Sequence, residues 1–205
     1  MGAAGTERRV RVVLATANPG KLREVAALLA DLPIDWIGLD ALPGLVLPEE
    51  GDDYAAHAVA KARAAARAAG TLAVADDSGL EVEALGGAPG PRSARWGGPG
   101  LDDAGRNRAL LEALRGVPPE RRGARFVCVA ALATPAGDVV TACGVCPGRI
   151  LEAPRGTGGF GYDPLFEVSP GGPTMAELPP GEKDRISHRG RAFRALVPAL
   201  RERLA

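Results

Sequence analysis

Apolar positions along the chain switch between two periods. Residues 11–15 (RVVLA) form a short β-branched run, after which Leu22, Val25, Leu28 and Leu29 recur at helical spacing. This predicts a strand, a loop and a helix, with Asn18 as N-cap and Pro19 at the first helical position, where its missing N–H has no partner to lose. A second helix is expected from Asp52 or Asp53 to Ala69, closed by Gly70. Residues 71–75 (TLAVA) read as a buried strand running straight into Asp76-Asp77-Ser78-Gly79. Six Gly and three Pro among residues 86–100 mark a long loop, and Asp102 opens a third helix to Arg115. Residues 125–133 and 139–146 pair as a hairpin, a second Gly-rich loop covers 156–163, and 165–168 form a short strand. Ser187 then caps a C-terminal helix carrying Phe193, Leu196 and Leu200. Strands alternating with helices at both ends and a hairpin between them predict an α/β domain with a mixed sheet. Residues 10–205 read as one such domain, with 1–9 as a flexible tail.

Composition narrows the function classes. At 46% hydrophobic, 205 residues can build a substantial core, yet no window approaches the apolar run of about 18 residues that a membrane span needs. Residues 1–9 lack a signal peptide's apolar stretch, so a cytoplasmic protein is expected. The 25 cationic and 25 acidic residues cancel, and no basic stripe is visible beyond Arg121-Arg122 and the C-terminal helix. Nucleic acid is therefore not an expected partner. Three Cys do not make a disulfide framework. Cys143 and Cys146 have CxxC spacing, but three residues apart on a strand they face opposite sides, which argues against a zinc or redox pair. Only three of the 25 cations are Lys: Lys21, Lys61 and Lys183. In a chain that uses Arg almost everywhere, a retained Lys marks a place for a compact, mobile ammonium.

Three constellations could carry chemistry. The loop at residues 16–21 leads from a strand into a helix start, where unpaired N–H groups and the helix dipole favour an anion. Thr16 and Asn18 add side-chain donors and Lys21 a charge, although the Walker spacing is absent; the plainer reading is a capped helix with a solvent Lys. Asp76 and Asp77 lie at the carboxyl end of an apolar strand, the ligand edge of open α/β sheets. Alternation predicts that one faces the cleft and the other a structural partner. Glu49 and Glu50 can join them, and carboxylates beside a phosphate site suit Mg²⁺; the plainer reading here is a polar turn. Finally, Gly-rich backbone around Phe160 and Tyr162 lets a flat ligand approach an aromatic face, while Lys183, His188 and Arg189 supply donors. His57, in an Ala-rich helix, reads as structural.

These motifs together resemble the inosine triphosphate pyrophosphatase family. They appear in family order as Thr16-Ala17-Asn18-Pro19-Gly20-Lys21, Ala75-Asp76-Asp77-Ser78-Gly79-Leu80, Gly86-Gly87-Ala88-Pro89-Gly90 with Ser93-Ala94-Arg95, Gly156 through Phe160-Gly161-Tyr162-Asp163-Pro164, and Ile186-Ser187-His188-Arg189-Gly190. The resemblance implies a long mixed sheet flanked by helices, in two lobes with a central nucleotide cleft, and a homodimer. It implies that Thr16, Ala17, Asn18, Pro19, Gly20 and Lys21 hold a triphosphate, with Asp77 as proton acceptor and Mg²⁺ ligand and Glu49 as the other metal carboxylate. Ser78 is expected to touch substrate, Phe160, Gly161, Tyr162 and Asp163 to stack on and bracket the base, and Lys183, His188 and Arg189 to read its edge. The family usually writes Glu-Asn-Ala before the helix Lys, where this chain has Ala56-His57-Ala58, so a polar contact near Lys61 is lost or taken over by His57. Glu50 stands where Thr is common, which leaves open which of Glu49 and Glu50 faces the metal.

The activity so implied is hydrolysis of the α–β phosphoanhydride of non-standard purine nucleotides (ITP, dITP, XTP), with Lys21 and Lys61 neutralising the pyrophosphate. Donors aimed at purine C6 favour a keto oxygen over the amino group of adenine. A pyrophosphatase for pyrimidine or modified nucleotides, and a non-catalytic nucleotide-binding module, remain the alternatives.

Overall fold

The computed structural model describes residues 9–48 and 51–205. The expected metal carboxylate Glu49, its rival Glu50, and the expected tail apart from Arg9 lie outside the described residues. The strands are β1 (Val10–Leu14), β2 (Ile34–Ile37), β3 (Leu72–Val82), β4 (Pro89–Gly90), β5 (Gly123–Ala133), β6 (Val139–Ile150) and β7 (Phe166–Glu167). The helices are α1 (Pro19–Leu28), α2 (Tyr54–Ala69), α3 (Asp103–Ala113), α4 (Pro180–Ile186) and α5 (His188–Leu204). They form the expected mixed sheet with flanking helices, in the order β2–β1–β3–β5–β6–β7, with β4 beside β3. β1 is parallel to β2 and β3, and the remaining pairs are antiparallel.

Local signals explain most boundaries. Asn18 caps α1 by accepting from the N–H groups of Gly20 and Lys21, Asp53 caps α2, Asp102 caps α3 and Ser187 caps α5. Gly70 ends α2 with φ +63, the left-handed conformation that glycine adopts without a Cβ penalty. The strand expected to stop at residue 75 instead continues to Val82, because β5 carries the antiparallel ladder past Asp76, Asp77, Ser78 and Gly79. The acid pair therefore lies mid-strand, not at a carboxyl end. β1 does end there: it pairs with β3 only at Leu72, Ala73 and Val74, and after the Ala15 N–H donates to the Val74 carbonyl it leaves the sheet. The ligand edge anticipated for β3 belongs to β1, and it opens beside the acids.

Alternation along β3 sorts the core. Val74 faces a cluster with Val25 of α1, Leu29 just after it, and Phe193, Leu196 and Leu200 of α5. Ala73 and Ala75 face Ala58, Ala62, Ala65 and Ala66 of α2, where small residues on both surfaces let helix and sheet approach closely. Leu80 and Val82 enter a third cluster with Leu110, Leu114, Phe126 and Phe166, which fills the second lobe. Cys143 is exposed and Cys146 buried, on opposite faces of β6.

The close approach of α5 to β6 is set by Gly144. A Cβ there would lie 2.1 Å from the His188 carbonyl oxygen and 2.5 Å from the Ala192 nitrogen, both backbone atoms. Gly144→Ala should therefore push the start of α5 off the sheet and cost about 1–3 kcal/mol, the usual range for overpacking. Urea unfolding should show a lower midpoint with an unchanged slope; an unchanged midpoint would show that α5 yields freely.

Candidate active site

A cleft of about 510 Å³ opens where β1 leaves β3, within the usual range for a small-molecule site. All three lysines reach it, together with Thr16, Ala17, Asn18, Asp77, Ser78, Phe160, Gly161, Tyr162, Asp163, His188 and Arg189. Pro19 and Gly20 are not among its lining residues; Gly20 is buried.

The loop after β1 is shaped by its own side chains. Thr16 Oγ1 accepts from the Asn18 N–H at 3.1 Å, and Asn18 Oδ1 accepts from Gly20 and Lys21 N–H at 2.8 and 3.2 Å. Two backbone donors expected to await an anion are thus already taken by the cap. What the loop offers an anion is the helix dipole, the remaining side-chain donors and Lys21. The Lys21 ammonium is itself engaged, with Nζ 3.0 Å from Asp76 Oδ2.

Asp76 and Asp77 turn to opposite sides, as alternation requires. Asp76 is fully buried towards α1 and α5, and its Oδ2 receives Lys21, Arg189 Nε and Nη2 at 3.3 Å each, and the Cys128 thiol. Burial raises its pKa, but Lys21, Arg189 and Lys61 outweigh that and hold the carboxyl well below the usual range. Asp77 faces the cleft and α2. Its Oδ1 is 4.0 Å from Lys61 Nζ, and its Oδ2 is 3.3 Å from His57 Nδ1 without hydrogen-bond alignment. Burial raises the Asp77 carboxyl above its ordinary value, against the pull of Lys61, Lys21 and His57. His57 and Lys61 are one turn apart on α2, so a single helix face presents both to Asp77. His57 Nε2 lies 3.1 Å from the Pro48 carbonyl oxygen, one residue before Glu49. The replaced Asn position thus lies against Asp77, closer to the chemistry than a structural histidine was expected to be. Lys61 also donates to the Asp76 carbonyl.

At the other end of the cleft, Lys183 Nζ lies 2.6 Å from both Glu24 Oε1 and Asp163 Oδ2. Arg189 Nη1 meets Glu24 Oε2 at 2.6 Å, and Nη2 donates to Ser78 Oγ at 2.9 Å. Burial would lower Lys183, but Asp163 and Glu24 raise it, so it stays charged. Burial and Arg189 push the His188 imidazole well below its ordinary value; the neutral ring stacks on Phe126 at 4.7 Å. The Phe160 ring has Lys183 Nζ at 5.0 Å and Arg189 Cζ at 5.5 Å over its face. Of the four residues expected to bracket a base, Tyr162 sits in the second lobe's core with its hydroxyl on the Ser93 carbonyl. Asp163 is buried, accepts from the Phe160 N–H and pairs with Lys183. Phe160 is left as the ring that borders the cleft with a half-buried face. Most Arg189 donors are spent on Glu24, Asp76 and Ser78, which makes it a brace as much as an edge reader.

Three residues absent from the sequence-based set hold this end together. Glu24 ties Lys183 to Arg189, Asp103 Oδ2 accepts from the Gly161 N–H at 2.7 Å, and Asn107 donates to the Gly161 carbonyl at 3.0 Å. Glu24 sits one position before buried Val25 on α1, but its partners lie 159 and 165 residues away, beyond any local signal. Among the described residues no three His, Cys, Asp or Glu side chains cluster as a ready-made metal cage.

Because its folded-state pKa is depressed, Asp76 contributes stability that is complete above the unfolded carboxyl value near 4 and fades as the pH falls below it. Asp76→Asn should lose about 3–5 kcal/mol at pH 7, as expected for breaking a buried pair. The gap to the parent should shrink by about 1.4 kcal/mol per pH unit below about pH 4. Urea titrations of both proteins at pH 7, 5 and 3 measure this, and a gap independent of pH contradicts it.

The fold and these motifs have close counterparts. The profile described as the Ham1 family matches residues 12–199. A protein of Thermus thermophilus called dITP/XTP pyrophosphatase is 51% identical, the match covering 95% of this chain and 94% of the relative. One of the same name from Streptomyces coelicolor is 50% identical over 95% and 98%. The solved structure of a HAM1 protein from Coxiella burnetii superposes with a TM-score of 0.83 at 42% identity, covering 94% of this chain and 99% of that one. With a profile that spans nearly its whole length, this chain belongs to the Ham1 family.

Proposed function

We propose that the protein is a nucleoside-triphosphate pyrophosphatase that converts ITP, dITP and XTP to the monophosphate and pyrophosphate, clearing them from the nucleotide pool. The observation that carries this reading is the position of Asp77: a cleft-facing carboxyl of raised pKa, with Lys61 Nζ 4.0 Å away, beside the helix-start loop that carries Lys21. The Thermus thermophilus and Streptomyces coelicolor relatives are both called dITP/XTP pyrophosphatase, which supports it.

Residues 16–21 hold the triphosphate through Lys21, the dipole of α1 and the side-chain donors of Thr16 and Asn18. Asp77 accepts the proton of the attacking water, a task that a carboxyl of raised pKa performs better than an ordinary one. Lys21 and Lys61 lie on either side of the acids, placed to oppose charge growing on the leaving pyrophosphate. The base lies on Phe160, and Lys183, His188 and the unspent Arg189 donor meet its 6-keto edge. Adenine's amino group would leave such donors unpaired.

The site's charges ask for a further cation. Lys21, Lys61, Lys183 and Arg189 are paired with Asp76, Asp77, Glu24 and Asp163, so a triphosphate brings more negative charge than these four cations balance. Asp77 Oδ2 is a buried oxygen whose nearest polar neighbour, His57 Nδ1 at 3.3 Å, lies without hydrogen-bond alignment. One or two carboxylates completed by phosphate oxygens and water suit Mg²⁺, so Asp77 fits as a ligand, with Glu49 as the second. When bound, the ion supplies charge neutralisation and polarises the phosphate. No described helix is long and apolar enough to cross a membrane, and a homodimer acting in the cytoplasm without a nucleic-acid partner completes the reading.

Pyrophosphate release from a panel of nucleoside triphosphates, with and without Mg²⁺, tests it. ITP, dITP and XTP should be turned over well above ATP, and only with the metal. Asp77→Asn should lose at least about a hundredfold in turnover while still binding nucleotide, the scale expected of a positioned base; parental turnover would remove Asp77 from the mechanism. His188→Ala should compress the ITP-to-ATP preference by about tenfold, as for one unpaired donor. An unchanged ratio would place base selection elsewhere.

A further inference from the structure

Gly20 occupies the second position of α1, yet its φ is not in the left-handed region, so the backbone does not demand glycine. Glycine within a helix costs about 0.5–1 kcal/mol relative to alanine. Something else must require the bare backbone, and the neighbouring atoms identify it. A Cβ on Gly20 would lie 2.6 Å from Phe160 Cδ1, 2.8 Å from Cε1 and 3.0 Å from Cγ. The Phe160 ring therefore lies directly on the phosphate loop. The cations of Lys183 and Arg189 stand over its face at 5.0 and 5.5 Å, and the Phe160 N–H is tied to Asp163 Oδ2 at 2.9 Å.

We propose that Gly20 is a specificity-determining position that acts through Phe160: its missing side chain is the seat of the ring, so the base platform and the triphosphate loop are fixed against each other. This rests on the functional reading above, in which residues 16–21 hold phosphates and Phe160 carries the base. A methyl group at position 20 falls inside the contact distance of about 3.5–4.0 Å between carbons and must shift the ring by about 1 Å. The ring then leaves its register with the Lys183, His188 and Arg189 edge, while the phosphate-holding groups of the loop are untouched. The competing role for Gly20 is close approach of a phosphate to the backbone, and it predicts the opposite selectivity of damage.

Two probes separate these roles in binding, without relying on hydrolysis: inosine monophosphate, which needs the base platform, and inorganic tripolyphosphate, which does not. By calorimetry, Gly20→Ala should weaken inosine monophosphate about tenfold and leave tripolyphosphate within about twofold. In a Phe160→Ala background, which has no ring to displace and keeps the fold free of the clash, adding Gly20→Ala should change neither probe by more than about twofold. Equal loss of both probes, or the same loss with and without the ring, overturns the inference while leaving the functional reading intact. Failure of the parent to bind either probe overturns that reading and the inference with it.

Discussion

A carboxylate removed completely from water stays ionised only if cations follow it into the interior. Asp76 is such a group, and the rest of the site depends on how its charge is met. Lys21 reaches it from α1 and Arg189 from α5, while Cys128 donates from β5. Two helices distant in sequence are thereby fastened to one oxygen on the central strand. Arg189 extends the connection to Glu24 and Ser78, and Glu24 passes it to Lys183 and so to Asp163 and the Phe160 loop. The two ends of the cleft are thus parts of one buried ionic network that runs from Lys21 to the loop carrying Phe160.

Adjacent acids on one strand are driven to opposite behaviour by the sides they face. Asp76 has two cations on one oxygen and is held low; Asp77 has a lysine at the outer limit of pairing, and burial raises it. A carboxyl that never takes a proton is a structural anchor, whereas one whose proton affinity has been lifted can serve as a base. The split arises from the two-residue period of a β-strand and from the departure of β1 at Leu14, which removes a neighbour beside the acids and lets the cleft form.

Much of this was legible in the sequence. The caps at Asn18, Asp53, Asp102 and Ser187 are local chemistry, and each starts its helix where expected. Alternation correctly divided Asp76 from Asp77. The extent of β3 was not legible, because Asp-Asp-Ser-Gly has the composition of a turn and is kept in the sheet by β5, about fifty residues away. Helix α4 was missed, being a seven-residue helix of about two turns, opened by Pro180 and Gly181 with little apolar periodicity. β2 was missed for its four-residue length. At the site, residue types and order pointed to phosphate, acid and base-reading regions, but the pairing could not be read. Glu24 and the commitment of Arg189 to three partners are long-range facts. Likewise, Tyr162 looks like a stacking residue in sequence and is a core residue in space because its hydroxyl finds the Ser93 carbonyl.

The scarcity of lysine now has a physical sense. Lys183 sits between two carboxylate oxygens at equal distance and beneath the face of Phe160, and Lys61 donates to a backbone carbonyl while standing 4.0 Å from the Asp77 carboxylate. A tetrahedral ammonium can serve partners in several directions at once. A planar guanidinium cannot, since its donors lie in one fork. Where a flat, many-donor cation does fit, at the junction of Asp76, Glu24 and Ser78, the chain uses Arg189. All three lysines of the chain thus stand around one cleft, and two of them, Lys61 and Lys183, meet partners in more than one direction.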